Sequence, residues 1–233
     1  MTPLLQVSGL NAWYGESHVL HGVDMTIGEG ETITILGRNG VGKTTTLRTI
    51  VGIVRARRGR IDFAGTDMMQ VPLHRTAHKG IGFVPEERGI FSTLTVEENL
   101  MLPPVVTGGG MNLEEIYELF PNLLERRTSQ GTKLSGGEQQ MLAIARILRT
   151  GVKMLILDEP TEGLAPVIVQ RIGDVLGKLK ARGMTILLVE QNFRFASRIA
   201  DRFYLMDHGR MVGDFPVSEL PVRMDELHKV LGV

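Results

Sequence analysis

Apolar residues follow two rhythms along this chain. In "LLQVSGL" and "VDMTIGEGETITILG" they recur at every second position, the period of a half-buried strand, with Gly28 to Gly30 supplying a turn. This predicts antiparallel sheet feeding a buried strand over Thr32 to Leu36. Gly37 breaks that strand, and Thr44 to Val51 reads as a helix. The later runs "MLILDE" and "TILLVE" are continuous, as expected of strands covered on both faces, and a helical stretch from about Pro166 to Arg182 separates them. Strand, helix, strand implies parallel pairing. Residues 97–150 read as mostly helical, broken by the loop "PPVVTGGG". The simplest layout is an α/β core, residues 1–86 and 151–233, with an inserted helical subdomain over about 87–150.

Composition narrows the function. The 233 residues carry 26 Lys plus Arg and 26 Asp plus Glu, so no global basic field draws the chain to nucleic acid or to an anionic membrane. Cysteine is absent, which excludes disulfides, zinc thiolates, iron–sulfur clusters and a catalytic thiol and favours an intracellular setting. "ILLV" and "MLIL" fall far short of the roughly 20 apolar residues of a membrane span, and "MTPLLQVSG" has no signal-peptide pattern. Work at a membrane would require another chain as tether.

Gly37-Arg38-Asn39-Gly40-Val41-Gly42-Lys43-Thr44 matches the phosphate-loop pattern G-x-x-x-x-G-K-[ST] in full, between a strand and a helix. Glycines let backbone N–H groups converge on phosphates, Lys43 supplies a point charge to the outer ones, and the Thr44 hydroxyl can ligate Mg²⁺. Asn39 and Thr45 join Gly37, Gly40, Gly42, Lys43 and Thr44 as candidate nucleotide contacts. "MLILDEP" carries Asp158 to the carboxyl edge of a sheet, where it would hold Mg²⁺ directly or through water. Glu159 follows as the candidate general base facing a water in line with the γ-phosphate. A second anion-suited loop, "KLSGGEQQ", precedes the helical pattern "MLAIARIL", so Ser135, Gly136 and Gly137 would stand at a helix N-terminus.

"GRNGVGKTTT", "LSGGEQQ", "LILDEPTEGLAP" and "VEQN", in that order and over nearly the whole chain, resemble the ATP-binding cassette (ABC) ATPases. The resemblance implies a P-loop NTPase core with an antiparallel β subdomain and a helical subdomain, binding ATP and Mg²⁺. It implies two cassettes packed head to tail, Ser135, Gly136 and Gly137 of one closing on the γ-phosphate held by the P-loop of the other. Tyr14 falls where the family stacks an aromatic on adenine, with Trp13 as the neighbouring alternative, and Thr161 to Ala165 falls on the loop that communicates between cassettes. The usual serine and aspartate of that loop are absent here.

Two positions depart from the common pattern. Glu86 stands where a glutamine normally reaches the metal and attacking water; a carboxylate only accepts hydrogen bonds, yet can hold Mg²⁺ through water. Gln191 stands where a histidine is expected, and its amide donates a hydrogen bond but carries no proton. The six histidines lie outside these motifs and are expected at the surface.

"VPEERGIF", "LSGGEQQMLAIAR", "DEPTEGLAP" and "LLVEQN" are similar to the ATPase subunits of importers for branched-chain and other hydrophobic amino acids, a group that pairs these Glu and Gln replacements with an "EGLAP" loop. That resemblance implies a second cassette, identical or different, two membrane-spanning permeases, an extracytoplasmic solute-binding protein and a place on the cytoplasmic face of the plasma membrane. The helix expected near Thr93 to Leu102, after Ile90 and Phe91, is the candidate permease contact. Relatives importing urea or short amides, and cassettes that act without transport, are the alternatives. No nucleic-acid partner is expected.

Overall fold

The computed structural model describes residues 3–232. Its strands are β1 (Leu5–Tyr14), β2 (Ser17–Ile27), β3 (Thr32–Leu36), β4 (Arg57–Phe63), β5 (Thr66–Asp67), β6 (Ile81–Val84), β7 (Met154–Asp158), β8 (Thr185–Glu190), β9 (Arg202–Asp207) and β10 (Arg210–Pro216). Its helices are α1 (Lys43–Val51), α2 (Val96–Met101), α3 (Leu113–Leu119), α4 (Pro121–Glu125), α5 (Gly136–Leu148), α6 (Pro166–Ala181), α7 (Phe193–Ile199) and α8 (Leu220–Leu231).

Two sheets organise the molecule. The alternating N-terminal segment forms an antiparallel sheet in the order β2-β1-β4-β5, and the continuous apolar runs form the centre of a second, β10-β9-β3-β8-β7-β6. In the second sheet β9, β3, β8, β7 and β6 are mutually parallel, and only β10 pairs antiparallel.

The continuous runs are buried because each face has its own cover. Met154 and Ile156 of β7, with Leu187 and Val189 of β8, join a core shared with β1, β2 and the apolar side of α1. Leu155 and Leu157, with Ile186 and Leu188, face a separate core built by α2, α3, α5 and α6. A period of two therefore survives inside an all-apolar run, one residue to each core.

Residues 97–150 are helical in four pieces, and the expected loop occupies 102–112. Helix α2 starts at Val96, three residues beyond Thr93, because its N-cap Thr95 and Glu98 form a capping box that satisfies both their backbone N–H groups. Inside this bend Asn99 is buried and its amide bonds Phe91, Leu94 and Thr95, which fixes the loop after β6. Strands β4, β6, β9 and β10 and helices α7 and α8 had no clear signal: β4 begins "RRGR", and its outward side is charged. All six histidines are exposed or half-buried, and His18 and His21 lie against each other with ring centroids 4.1 Å apart.

Candidate functional site

Parallel pairing delivers the candidate residues to one edge. The carboxyl ends of β3, β8, β7 and β6 are neighbours, with Leu36 opposite Glu190, Val189 opposite Asp158 and Leu157 opposite Val84. From those ends emerge the P-loop, Gln191, the Asp158–Glu159 pair and Glu86 respectively. Four segments scattered along the chain become one site by strand register alone.

The P-loop wraps the N-terminus of α1. Gly40 and Gly42 have φ of 79° and 111°, a region side chains rarely adopt, and a Cβ on Gly42 would crowd Leu20 and Met206. Gly37 is required for packing: a Cβ there would come 2.5 Å from the Met206 carbonyl oxygen. Lys43 is 4% exposed; its Nζ donates to the carbonyls of Gly37 at 2.9 Å and Arg38 at 3.0 Å and lies 3.2 Å from Glu159 Oε1. The ammonium is thus held inside the loop whose N–H groups would take phosphate oxygens.

Asp158 is fully buried at the end of β7. The Thr44 hydroxyl donates to its Oδ1 at 2.9 Å, while Oδ2 is buried with no hydrogen-bond partner. Burial, and then the charge of Glu159, push Asp158 from 3.8 up to about 6 against the Thr44 hydrogen bond. A hydroxyl and an orphaned carboxylate oxygen form the hard donor set Mg²⁺ prefers. Among the described residues no group of three or more His, Asp or Glu is placed to hold a metal ion.

Glu159 leaves the strand with φ of 44°, and its N–H donates to Val189. Such a left-handed turn costs about 1–3 kcal/mol away from glycine, and here it brings the carboxylate between Lys43 and Gln191. Gln191 Nε2 donates to Glu159 Oε2 at 2.5 Å. A cavity of 240 Å³ opens onto this arrangement, lined by Asn39, Gly40, Gly42, Lys43, Thr44, Thr45, Glu86, Glu159 and Glu162. Glu162 was not singled out by sequence; burial and the neighbouring Glu159 raise its pKa.

Glu190 is the other residue sequence reasoning missed. It is 2% exposed, and its carboxylate accepts from the Thr161 N–H and hydroxyl on one oxygen and from the N–H groups of Gln191 and Asn192 on the other. Burial raises its pKa against these bonds. Glu190 therefore ties the loop after Glu159 to the loop carrying Gln191. The signal was present: a carboxylate ending an apolar run, as in "MLILDE".

Other candidates stand apart from this cavity. Ser135 caps α5, its hydroxyl accepting from the Glu138 N–H and donating to the Glu138 carboxylate at 2.8 Å. Gly137 lets α5 approach α6 closely, since a Cβ there would sit 2.6 Å from Ile168 Cγ2, and Gly136 lies beside the Arg88 guanidinium. None of the three lines the P-loop cavity. Tyr14 ends β1 with 48% exposure and is also outside it. Trp13 is already stacked on His18 at 4.4 Å and under Arg58. The loop bearing Glu86 is fastened to α5 by Arg88, which donates to Gln139, and by Arg146, which donates to the Gly89 carbonyl.

Fold and site together define a nucleotide-binding cassette of the P-loop class. A family model described as ABC transporter matches residues 20–162, and the chain belongs to that family. It is 41% identical over 212 residues to the high-affinity branched-chain amino acid transport ATP-binding protein BraG of Pseudomonas aeruginosa, covering 90% of this chain and 91% of BraG. It is 35% identical to the probable branched-chain amino acid transport ATP-binding protein LivF of Archaeoglobus fulgidus, covering 93% and 94%. It is 34% identical to the lipopolysaccharide export system ATP-binding protein LptB of Haemophilus influenzae, covering 90% and 89%. Among solved structures, a nucleotide-free ATP-binding cassette from an ABC transporter superposes with TM-score 0.86 at 25% identity, covering 100% and 99%. A dimeric bacterial ABC transporter cassette gives 0.80 at 26%, covering 91% and 98%. The chain is an ATP-binding, ATP-hydrolysing subunit of an ABC transporter. No helix among the described residues is long and apolar enough to cross a membrane.

Two outcomes follow from the buried carboxylates. A raised native pKa makes the Asp158 contribution to stability fully present below 3.8 and lost as pH rises through about 6. Nucleotide-free protein should accordingly lose up to about 3 kcal/mol relative to Asp158→Asn between about pH 4 and pH 8 in urea unfolding. A flat difference would contradict this account. Glu190→Ala should lower unfolding free energy by roughly 1–3 kcal/mol and slow phosphate release, since Thr161, Gln191 and Asn192 lose a shared acceptor. Unchanged turnover would show that the two loops do not need it.

Proposed function

We propose that this chain energises an importer for branched-chain or other hydrophobic amino acids. The relatives point both to such uptake and to lipopolysaccharide export; the combination of Glu86, Gln191 and the "EGLAP" segment favours uptake. Urea or short-amide import is the nearest alternative reading.

The observation that carries the mechanism is the separation of two anion-suited loops within one chain. Ser135, Gly136 and Gly137 lie outside the cavity formed by the P-loop. A second cassette, identical or different, would present them to the terminal phosphate, so ATP would lie between Lys43 of one chain and Ser135 of the other. Tyr14 would stack on the adenine, and Gly37, Asn39, Gly40, Gly42 and Thr45 would contact the phosphates through the loop. Mg²⁺, held by Thr44 and Asp158 and by Glu86 through water, would neutralise phosphate charge.

Within the site, Glu159 takes the proton of the attacking water. Gln191 fixes the direction of that carboxylate by donating to Oε2 and transfers no proton itself. Lys43 holds its charge at the outer phosphates. Residues 87–150 act as a helical subdomain against a core of 1–86 and 151–233; the Arg88–Gln139 and Arg146–Gly89 contacts pass movement of the Glu86 loop to α5. The exposed side chains of Phe91, Met101 and Leu102 near α2 are the permease-facing surface in this reading. Two permeases and an extracytoplasmic binding protein complete the assembly and hold the cassettes on the cytoplasmic face of the membrane.

Glu159→Gln should reduce phosphate release by roughly 10² to 10⁴ while trapping a nucleotide-bound dimer on size-exclusion chromatography. A hydrolysis-dead variant that stays monomeric with saturating Mg-ATP, alone and with its sibling cassette, would refute the shared site. In proteoliposomes holding the intact transporter, binding protein loaded with leucine, isoleucine or valine should accelerate turnover. Stimulation only by another solute would reject the amino-acid assignment.

A further inference from the structure

A second cavity, of 560 Å³, has no occupant in these roles, although Gly37 and Gln191 of its wall also serve the P-loop site. Its walls are Gly37 and Arg38 of the P-loop, the turn from Gln191 to Arg194, and one face of α8. That volume falls in the range of small-molecule sites, roughly 300–1,000 Å³. Phe193, Met224, Leu227 and Leu231 supply its apolar lining, Arg38, Arg194 and His228 its basic groups, and Gln191 and Asn192 two neutral amides. No carboxylate lines it, and among the described residues neither arginine has an acidic partner. Guanidinium groups beside an apolar lining suit a ligand with a carboxylate at one end and hydrocarbon at the other.

The walls also reach the reaction. The Arg38 carbonyl accepts a hydrogen bond from Lys43 Nζ at 3.0 Å, and Gln191 bonds Glu159 at 2.5 Å. The Arg38 side chain lies against Gly232 at the end of α8, close enough that a Cβ there would fall 2.2 Å from Nη2. A molecule in this cavity would touch the backbone that holds Lys43, the residue that orients Glu159 and the C-terminal helix together.

We propose that the cavity between α8, Arg38 and the Gln191–Arg194 turn is a regulatory site for a small monocarboxylate with an apolar tail, whose binding is coupled to nucleotide binding. Coupling of this kind is reciprocal: nucleotide must change the affinity of the acid by the factor the acid changes that of nucleotide.

Calorimetric titration of the purified full chain tests this with two probes, α-ketoisocaproate for a branched tail and octanoate for a straight one, and with acetate and inorganic phosphate as controls. At least one tailed acid should bind with 1:1 stoichiometry and a Kd of about 1 mM or tighter, and the better of the two identifies the tail. Arg194→Gln should weaken it about tenfold, as expected for one lost charge-assisted hydrogen bond, and Met224→Trp, which fills the space, should abolish it. Saturating ADP should shift the affinity at least about threefold. Thermal unfolding and ADP binding check that both variants are folded. The proposal is overturned by absence of saturation with either acid up to about 10 mM, by equal binding of acetate or phosphate, by indifference to Arg194→Gln, or by an affinity that ADP leaves unchanged.

Discussion

Neighbouring strands β3, β8, β7 and β6 run parallel and are apolar through most of their length, and the acidic residues of β7 and β8 stand where those strands stop. With both faces covered by separate cores, the sheet edge is the place where Asp158 and Glu190 can end an apolar run and still meet donors. Strand register therefore sets the spacing between Lys43, Asp158, Glu159 and Gln191. A slip of one residue in β7 would exchange the two cores and turn Asp158 away from Thr44.

The site is tense in ways that suit phosphate chemistry. Asp158 keeps an oxygen with no partner, Glu159 holds a left-handed backbone, and several carboxylates surround a single buried ammonium. Each feature lowers stability in isolation, and each would be relieved or used if a polyanion and its cation entered. Glu190 shows the opposite design. Its charge is buried but saturated by four donors, so it serves as a rigid strut between loops.

Much of this was legible in the residues. The P-loop pattern, the apolar runs ending in acids and the capped helix after Ser135 are local signals, and the structure places the corresponding strands and helices within a residue or two. What sequence could not give was adjacency. Nothing local says that Glu86 follows a strand, because "IGFV" is only four residues long, or that β8 lies between β3 and β7. The cavity under α8 was invisible for the same reason: it joins residues near positions 38, 193 and 227 that only the fold assembles. Charged β4 carries no clear strand signal of its own, because its pairing with β1 is what makes it a strand.

The capping box of Ser135 and Glu138 has a thermodynamic meaning beyond holding a helix end. A glycine-containing loop that had to become ordered on meeting an anion would lose conformational entropy at that moment, and association would be weaker by that amount. Here the freedom of Gly136 and Gly137 is removed when the chain folds, by the box itself and by the contact with Ile168. The α5 terminus is therefore a preformed surface, and an anion or partner meeting it would not have to order those glycines on association.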